Sequence, residues 1–307
     1  MIPSVEPSRL NHTAASSLAA RLDPLRPPAL LGRDVVGRMT RGQRALPGLL
    51  LAGGQRCGTT SLYQALTQQP QFFRPVWRKG VHYFDMAYEQ GTDWYRSHFP
   101  LKSTVRRASE RHATLSTCFE SSPYYLFHPR AAERIRETLP EVRVVVLVRD
   151  PVERAVSAHA HELARGFETL TLAEALDAEP GRLTGETERM LADPSYQSHA
   201  HRHQAYRSRG EYAPQLERLA GVLGRDRIKV IDSHRFFTEP EEVFDDLLDW
   251  LGTRRLVETH FERHNARPHA DLDPGLRRDL TTHFEPYDAQ LAPWLGRPVS
   301  WRGDQGG

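Results

Sequence analysis

Lysine is almost missing from this 307-residue chain: only Lys79, Lys102 and Lys229 occur, and arginine supplies the rest of the 41 basic residues. Set against 39 acidic residues, they leave a formal net charge of +2. That balance excludes a polybasic nucleic-acid coat and a basic membrane-adsorbing surface, so neither kind of partner is expected, and any anion site must be local. Cysteine is equally sparse. Cys57 and Cys118 have no metal-ligand spacing, and a chain this long needs no disulfide staple, so a reducing, cytoplasmic setting is expected. No stretch approaches the roughly 20 consecutive apolar residues of a membrane helix. The opening MIPSVEPSRLNHTAASS has no charged flank leading into an apolar core, so the expectation is a soluble, unprocessed chain. Repeats of fixed period and low-complexity tracts are absent as well.

What is present is an alternation of short apolar runs with helical periodicity. Residues 1–46 mix Pro, Arg and Ser without a period and read as an arm, partly disordered or draped on the core; residues 47–303 read as one domain. Leu49–Ala52 is an apolar run ending at Gly53-Gly54, and Thr59–Thr67 then spaces Leu62, Ala65 and Leu66 helically. Strands are also expected over Thr114–Phe119, Val142–Val148 and Arg227–Ile231, and helices over Arg130–Thr138, Val152–Ala164 and Pro240–Leu251. The unalternating Val142–Val148 run suits a strand buried on both faces, so the fold class is α/β with a central parallel sheet flanked by helices. Between residues 170 and 206 the pattern loosens, which suits a substrate-side insertion or lid.

Gly53-Gly54-Gln55-Arg56-Cys57-Gly58-Thr59-Thr60-Ser61 lies between the first apolar run and the first helix. Backbone N–H groups and the helix dipole at such a junction hold an anion, glycine lets the backbone approach, and Arg56 adds a charged fork. The plainer reading is a glycine turn with hydroxyl caps. A nucleotide kinase or NTPase is the sharper rival, because Gly53 and Gly58 have the P-loop spacing G-x-x-x-x-G-K-[ST]. Thr59, however, stands where that loop needs its lysine. A second element, Val144–Val148 followed by Arg149-Asp150-Pro151-Val152-Glu153-Arg154 and Ser157, puts Arg149 at a strand's carboxyl end and Ser157 two turns into a helix. Taken alone, Arg154 reads as part of a solvated helix face.

These two elements, in this order, resemble the sulfotransferase superfamily, whose 5′-phosphosulfate loop runs [KR]-x-G-T-[TR] and whose 3′-phosphate element is strand-R-D-P-x-x-R with a helix serine. The resemblance covers Gly48 to Trp301 and is closest to the carbohydrate or heparan type. It implies a P-loop-NTPase-like sulfotransferase fold. It also implies sulfuryl transfer from 3′-phosphoadenosine 5′-phosphosulfate (PAPS) to a small-molecule or carbohydrate acceptor, leaving adenosine 3′,5′-bisphosphate (PAP), with no metal required. By the same resemblance Arg56, Cys57, Gly58, Thr59, Thr60 and Ser61 hold the 5′-phosphosulfate, and Arg149 and Ser157 the 3′-phosphate. Arg267, in His264-Asn265-Ala266-Arg267-Pro268, joins them from a late basic loop.

Lys79-Gly80-Val81-His82-Tyr83-Phe84-Asp85 stands where carbohydrate-type members carry K-E-x-H-[FY]-F, and the usual base, Glu, is replaced by Gly80. His82 is then the expected base, because an imidazole titrating near 6.5 can accept a hydroxyl proton at neutral pH. Lys79 is expected to steady the transferring sulfonate. Glu120, opening Glu120-Ser121-Ser122-Pro123-Tyr124-Tyr125, is the rival base, or a partner of His82. A phosphotransferase and a PAPS- or PAP-binding protein without transfer activity are the alternatives. His159 and His161, and His199, His201 and His203, have an i, i+2 spacing that shares a face only on a strand, so no metal site is expected. The number of subunits is not encoded in any pattern here.

Overall fold

The computed structural model describes residues 40–76, 78–262 and 272–302. The apolar runs form strands β1 (Pro47–Gly53), β2 (Phe72–Phe73), β3 (Thr117–Ser121), β4 (Arg143–Val148) and β5 (Ile228–Asp232). They make one sheet in the order β2-β3-β1-β4-β5, with every neighbouring pair parallel. Leu49–Ala52 in β1 and Val144–Val148 in β4 are fully shielded. Both are inner strands with helices over each face, which is why neither alternates apolar with polar. From β1 the chain builds β2 and β3 on one side, then crosses to β4 and β5 on the other. The carboxyl end of β1 is therefore the point at which the connections diverge and an open α/β sheet leaves a crevice.

Two of the helices that follow strands put residues on that crevice, α1 (Thr59–Gln68) and α3 (Pro151–Ala164), while α2 (Ala131–Thr138) lies in the crossover from β3 to β4. Asp150 starts α3 by accepting the Val152 N–H at 2.8 Å, and Pro151 sits in the first turn, where its missing N–H leaves no bond unmade. The stretch expected to be a loose insertion is built of helices α4 (Leu172–Leu183), α5 (Glu186–Ala192) and α6 (His199–His203). A capping box between Thr171 and Glu174 opens α4. A second apolar cluster then ties Ala175, Leu176 and Tyr206 to Val152, Ala155 and Ala158 of α3. Beyond come α7 (Tyr212–Leu223), α8 (Pro240–Trp250) and α9 (Pro274–Leu295). The last contributes Leu280 and Phe284 to the same cluster.

One strand starts later than expected. β3 begins at Thr117, not Thr114, because Ala113 turns left-handed (φ 48°) to end the helix Lys102–His112 and residues 113–116 complete its exit. β2 spans two residues, too few to show a period. Of the expected arm, residues 40–46 lie against the body: the Ala45 N–H donates to Pro100 O at 2.9 Å and Arg44 Nη1 to Phe99 O at 2.6 Å. Residues 1–39 lie outside the described residues.

Two buried histidines predict an acid-labile fold. Burial holds His128 down to about 4 and His201 down to about 2, and both rings are almost wholly enclosed. The Tyr124 hydroxyl lies 2.8 Å from His201 Nδ1, where a neutral ring can accept it. Both side chains titrate near 6.5 once unfolded, so below that pH the unfolded chain binds more protons. Their stabilisation is complete above pH ~6.5 and is lost as the pH falls toward ~4. His82, with a raised pKa, acts in the opposite sense and offsets a part. Between pH 7.5 and pH 5 the Tm is expected to fall by about 4–8 °C, from on the order of 2–4 kcal/mol. Equal Tm values at the two pH values would contradict this.

Candidate active site

β1 delivers the chain to a tight loop, and α1 begins at Thr59 with Gly58 as its N-cap. Gly58 is left-handed (φ 89°) and no side chain among the described residues caps α1, so the helix presents its positive end at the loop. A Cβ there would come within 3.1 Å of the Phe237 ring. Arg56 is also left-handed (φ 68°), and its Nε donates to Ser157 Oγ on α3 at 3.0 Å. Arg149, at the end of β4, donates from Nη1 to the Arg56 carbonyl at 3.2 Å. Tyr212 adds a further tie: its hydroxyl donates to Arg149 O at 3.1 Å and lies 3.4 Å from Cys57 Sγ. The two anion elements, far apart in sequence, are thus bonded into one wall. That wall bounds a cavity of about 770 Å³, lined among others by Arg56, Gly58, Thr59, Thr60, Lys79, His82, Arg149 and Ser157.

Lys79 faces the loop from across the cavity and donates to Thr60 Oγ1 at 2.8 Å. Burial lowers its pKa to about 8, so it is mostly charged at neutral pH and gains further from a bound anion. His82 is left-handed (φ 55°) at the head of the short helix Tyr83–Met86. Its Nδ1 lies 2.8 Å from Asp85 Oδ2, and the Asp85 side chain is fully enclosed. Burial works against the charged ring, but the hydrogen bond and charge of Asp85, with the charge of Glu120, outweigh it and raise the His82 pKa. With Nδ1 bonded to Asp85, Nε2 is the nitrogen left to accept a proton.

Glu120 is placed differently. It is fully buried and does not line the cavity. Its carboxylate accepts the hydroxyls of Tyr95 (2.9 Å), Tyr125 (2.8 Å) and Ser122 (2.7 Å) and the Val81 N–H (2.9 Å). It anchors the 79–83 segment from behind. Gly80 packs so closely that a Cβ would stand 2.6 Å from the Ser121 carbonyl oxygen.

Of the other expected residues, Cys57 turns its thiol inward, and Ser61 is buried behind the loop and does not line the cavity. Arg267 lies outside the described residues. The solvated face expected for Arg154 is wrong: its side chain is completely buried on the inner side of α3. No group of histidines, cysteines and carboxylates among the described residues has metal-binding geometry. His159 Nε2 meets Leu170 O, and His203 pairs with Glu162. Asp85 was within reach of sequence reasoning, since i, i+3 on a helix puts it beneath His82. Arg202, Arg209, Phe237 and Trp301 also line the cavity, but they are brought there by packing, and no contiguous motif marks them.

No described helix is long and apolar enough to cross a membrane. Comparison with known proteins agrees with the geometry. Human heparan sulfate glucosamine 3-O-sulfotransferase 6 is 25% identical over 85% of this chain and 75% of its own length. Membrane-associated sulfotransferase kil1 of Dictyostelium discoideum is 21% identical over 84% of this chain and 67% of its own. The crystal structure of a sulfotransferase from Alicyclobacillus acidocaldarius superposes with a TM-score of 0.60 at 29% identity, covering 84% of this chain and 99% of that one. A model of the Sulfotransferase family matches residues 47–256. Because that match runs from the start of β1 through both anion elements and past α8, the chain belongs to the sulfotransferase family and is a sulfuryl-transferring enzyme.

Proposed function

We propose that the chain transfers the sulfuryl group of PAPS to a hydroxyl or amine of a carbohydrate or hydroxylated small molecule, with His82 as base. The observation that carries this reading is the Arg56–Ser157 bond with Arg149 joined to it: it puts two anion-binding elements in one cavity, as a nucleotide phosphorylated at both ends of its ribose requires. The cationic groups and the uncapped start of α1 fit such a donor chemically. His82 Nε2 takes the acceptor proton as the acceptor oxygen or nitrogen attacks sulfur, and Asp85 holds the ring in the accepting tautomer. Lys79, Arg56 and the first N–H groups of α1 balance charge growing on the sulfonate and leaving oxygens. Glu120 acts through the backbone that carries His82. Arg202 and His203 line the cavity, and in this reading the 170–206 segment takes the acceptor side through them. A reducing, cytoplasmic setting is part of the reading, supported by two cysteines that are both free and buried.

A metal-free thermal-shift titration tests the donor. PAP at ~100 times its Kd is expected to stabilise by ~2.7 kcal/mol, with ATP giving much less. Stabilisation by ATP only, and only with Mg²⁺, would replace sulfuryl with phosphoryl transfer.

A further inference from the structure

Arg154 is completely enclosed, yet among the described residues it has no countercharge. Its Nη2 donates to the Tyr206 carbonyl, while Nε and Nη1 meet no hydrogen-bond acceptor among the described residues. No carboxylate among them pairs with it. Arg209, 6% exposed, repeats the arrangement. It donates to Gln55 Oε1 and to His201 O and lies over the rings of Tyr124 and Phe127 (4.8 and 5.1 Å), again without an acidic partner among the described residues. Burial pushes the Arg209 guanidinium down to about 10, and the charge of Arg154 presses the same way. The two also bracket the phosphate loop. Arg209 holds Gln55 at its start, and the charge of Arg154 is felt at Cys57 inside it. Buried guanidinium groups are normally matched by carboxylates, because an unmatched charge in a low-dielectric interior is strongly unfavourable. Here two neighbouring ones are left unmatched among the described residues, beside the loop that leads into α1.

We propose that Arg154, flanked by Arg209, is a positioning residue that keeps the phosphate loop at positive potential, so that the anionic end of the nucleotide supplies the countercharge the fold withholds. It acts through the loop and does not itself line the cavity. The inference rests on the donor reading above. In this view the unliganded protein is less stable than its packing allows, and the deficit is recovered on binding.

Arg154→Met, which keeps length and removes charge, separates this from a structural role, with PAP affinity measured by titration calorimetry and Tm measured without ligand. The expected result is an unchanged or higher unliganded Tm with a PAP Kd at least about tenfold weaker, and Arg154→Lys within about threefold of wild type. A lower Tm with unchanged PAP affinity would assign Arg154 to packing alone and overturn the proposal. Should Arg154→Met fail to fold, Arg209→Gln serves instead. It keeps a donor for the carbonyls, is expected to weaken PAP in the same direction, and unchanged affinity there overturns the proposal. A wild-type chain that ignores PAP removes the donor reading and this inference together, whereas tight wild-type binding that both variants share removes only the inference.

Discussion

Replacing His82 with alanine is expected to lower kcat by about two to four orders of magnitude while PAP affinity stays within about threefold. The loss belongs to the proton-accepting step, because the anion elements are held by Arg56, Ser157 and Arg149, none of which bonds to His82. The assay is PAP release from PAPS with the first acceptor that turns over in a screen of desulfated oligosaccharides and phenols. Wild-type activity should climb with pH through the His82 pKa, which Asp85 holds above the ordinary 6.5. Only the neutral ring accepts a proton, so the active form is lost as the pH falls. Asp85→Asn removes the larger upward influence and leaves burial, which lowers the pKa, so the rising limb should move to lower pH at a reduced plateau. Glu120→Gln is the contrast. A carboxylate receiving four donors cannot be copied by an amide that offers one acceptor oxygen and an NH₂ group. A stability loss of about 1–3 kcal/mol is expected, with a smaller fall in kcat than for His82→Ala. If His82→Ala turns over at the wild-type rate and Glu120→Gln does not, the roles are reversed.

The second large effect belongs to Arg149. Arg149→Ala is expected to weaken PAP by about 10- to 150-fold, the range for losing a charge-assisted hydrogen bond worth about 1.5–3 kcal/mol. Adenosine 5′-phosphosulfate, which has no 3′-phosphate, should lose less than about threefold. The comparison is diagnostic because Arg149 also donates to the Arg56 carbonyl. Were its only role to brace the phosphate loop, the two nucleotides would weaken in parallel. Calorimetric titration of both nucleotides against both proteins decides it.

The central sheet was legible because inner strands are apolar on both faces and the loops at their carboxyl ends are contiguous in sequence. Gly53–Ser61 and Arg149–Ser157 each hold their candidate residues within one short segment, so residue type and spacing pointed to them, and the structure brings the two segments together. What escaped depends on neighbours far along the chain. Glu120 reads as a reactive carboxylate until Tyr95, Tyr125, Ser122 and Val81 are seen to enclose it. Arg154 reads as a surface arginine until the 170–206 helices cover α3. Helix α4 was hidden by Pro180 and Gly181 near its end, and α9 by Pro286 and Pro293 in its interior. These are residues whose local preference the apolar contacts of both helices override.

The crowding at Gly80 bears on how this active site can change over generations. A carboxylate at that position would need Ser121 to withdraw first, because even the Cβ would meet its carbonyl oxygen at 2.6 Å. Moving the segment in turn disturbs the Val81 bond to Glu120 and the left-handed turn that presents His82. Gly80→Glu alone therefore meets the Ser121 carbonyl, and a side chain at position 80 is seated only together with a shift of the Ser121 backbone.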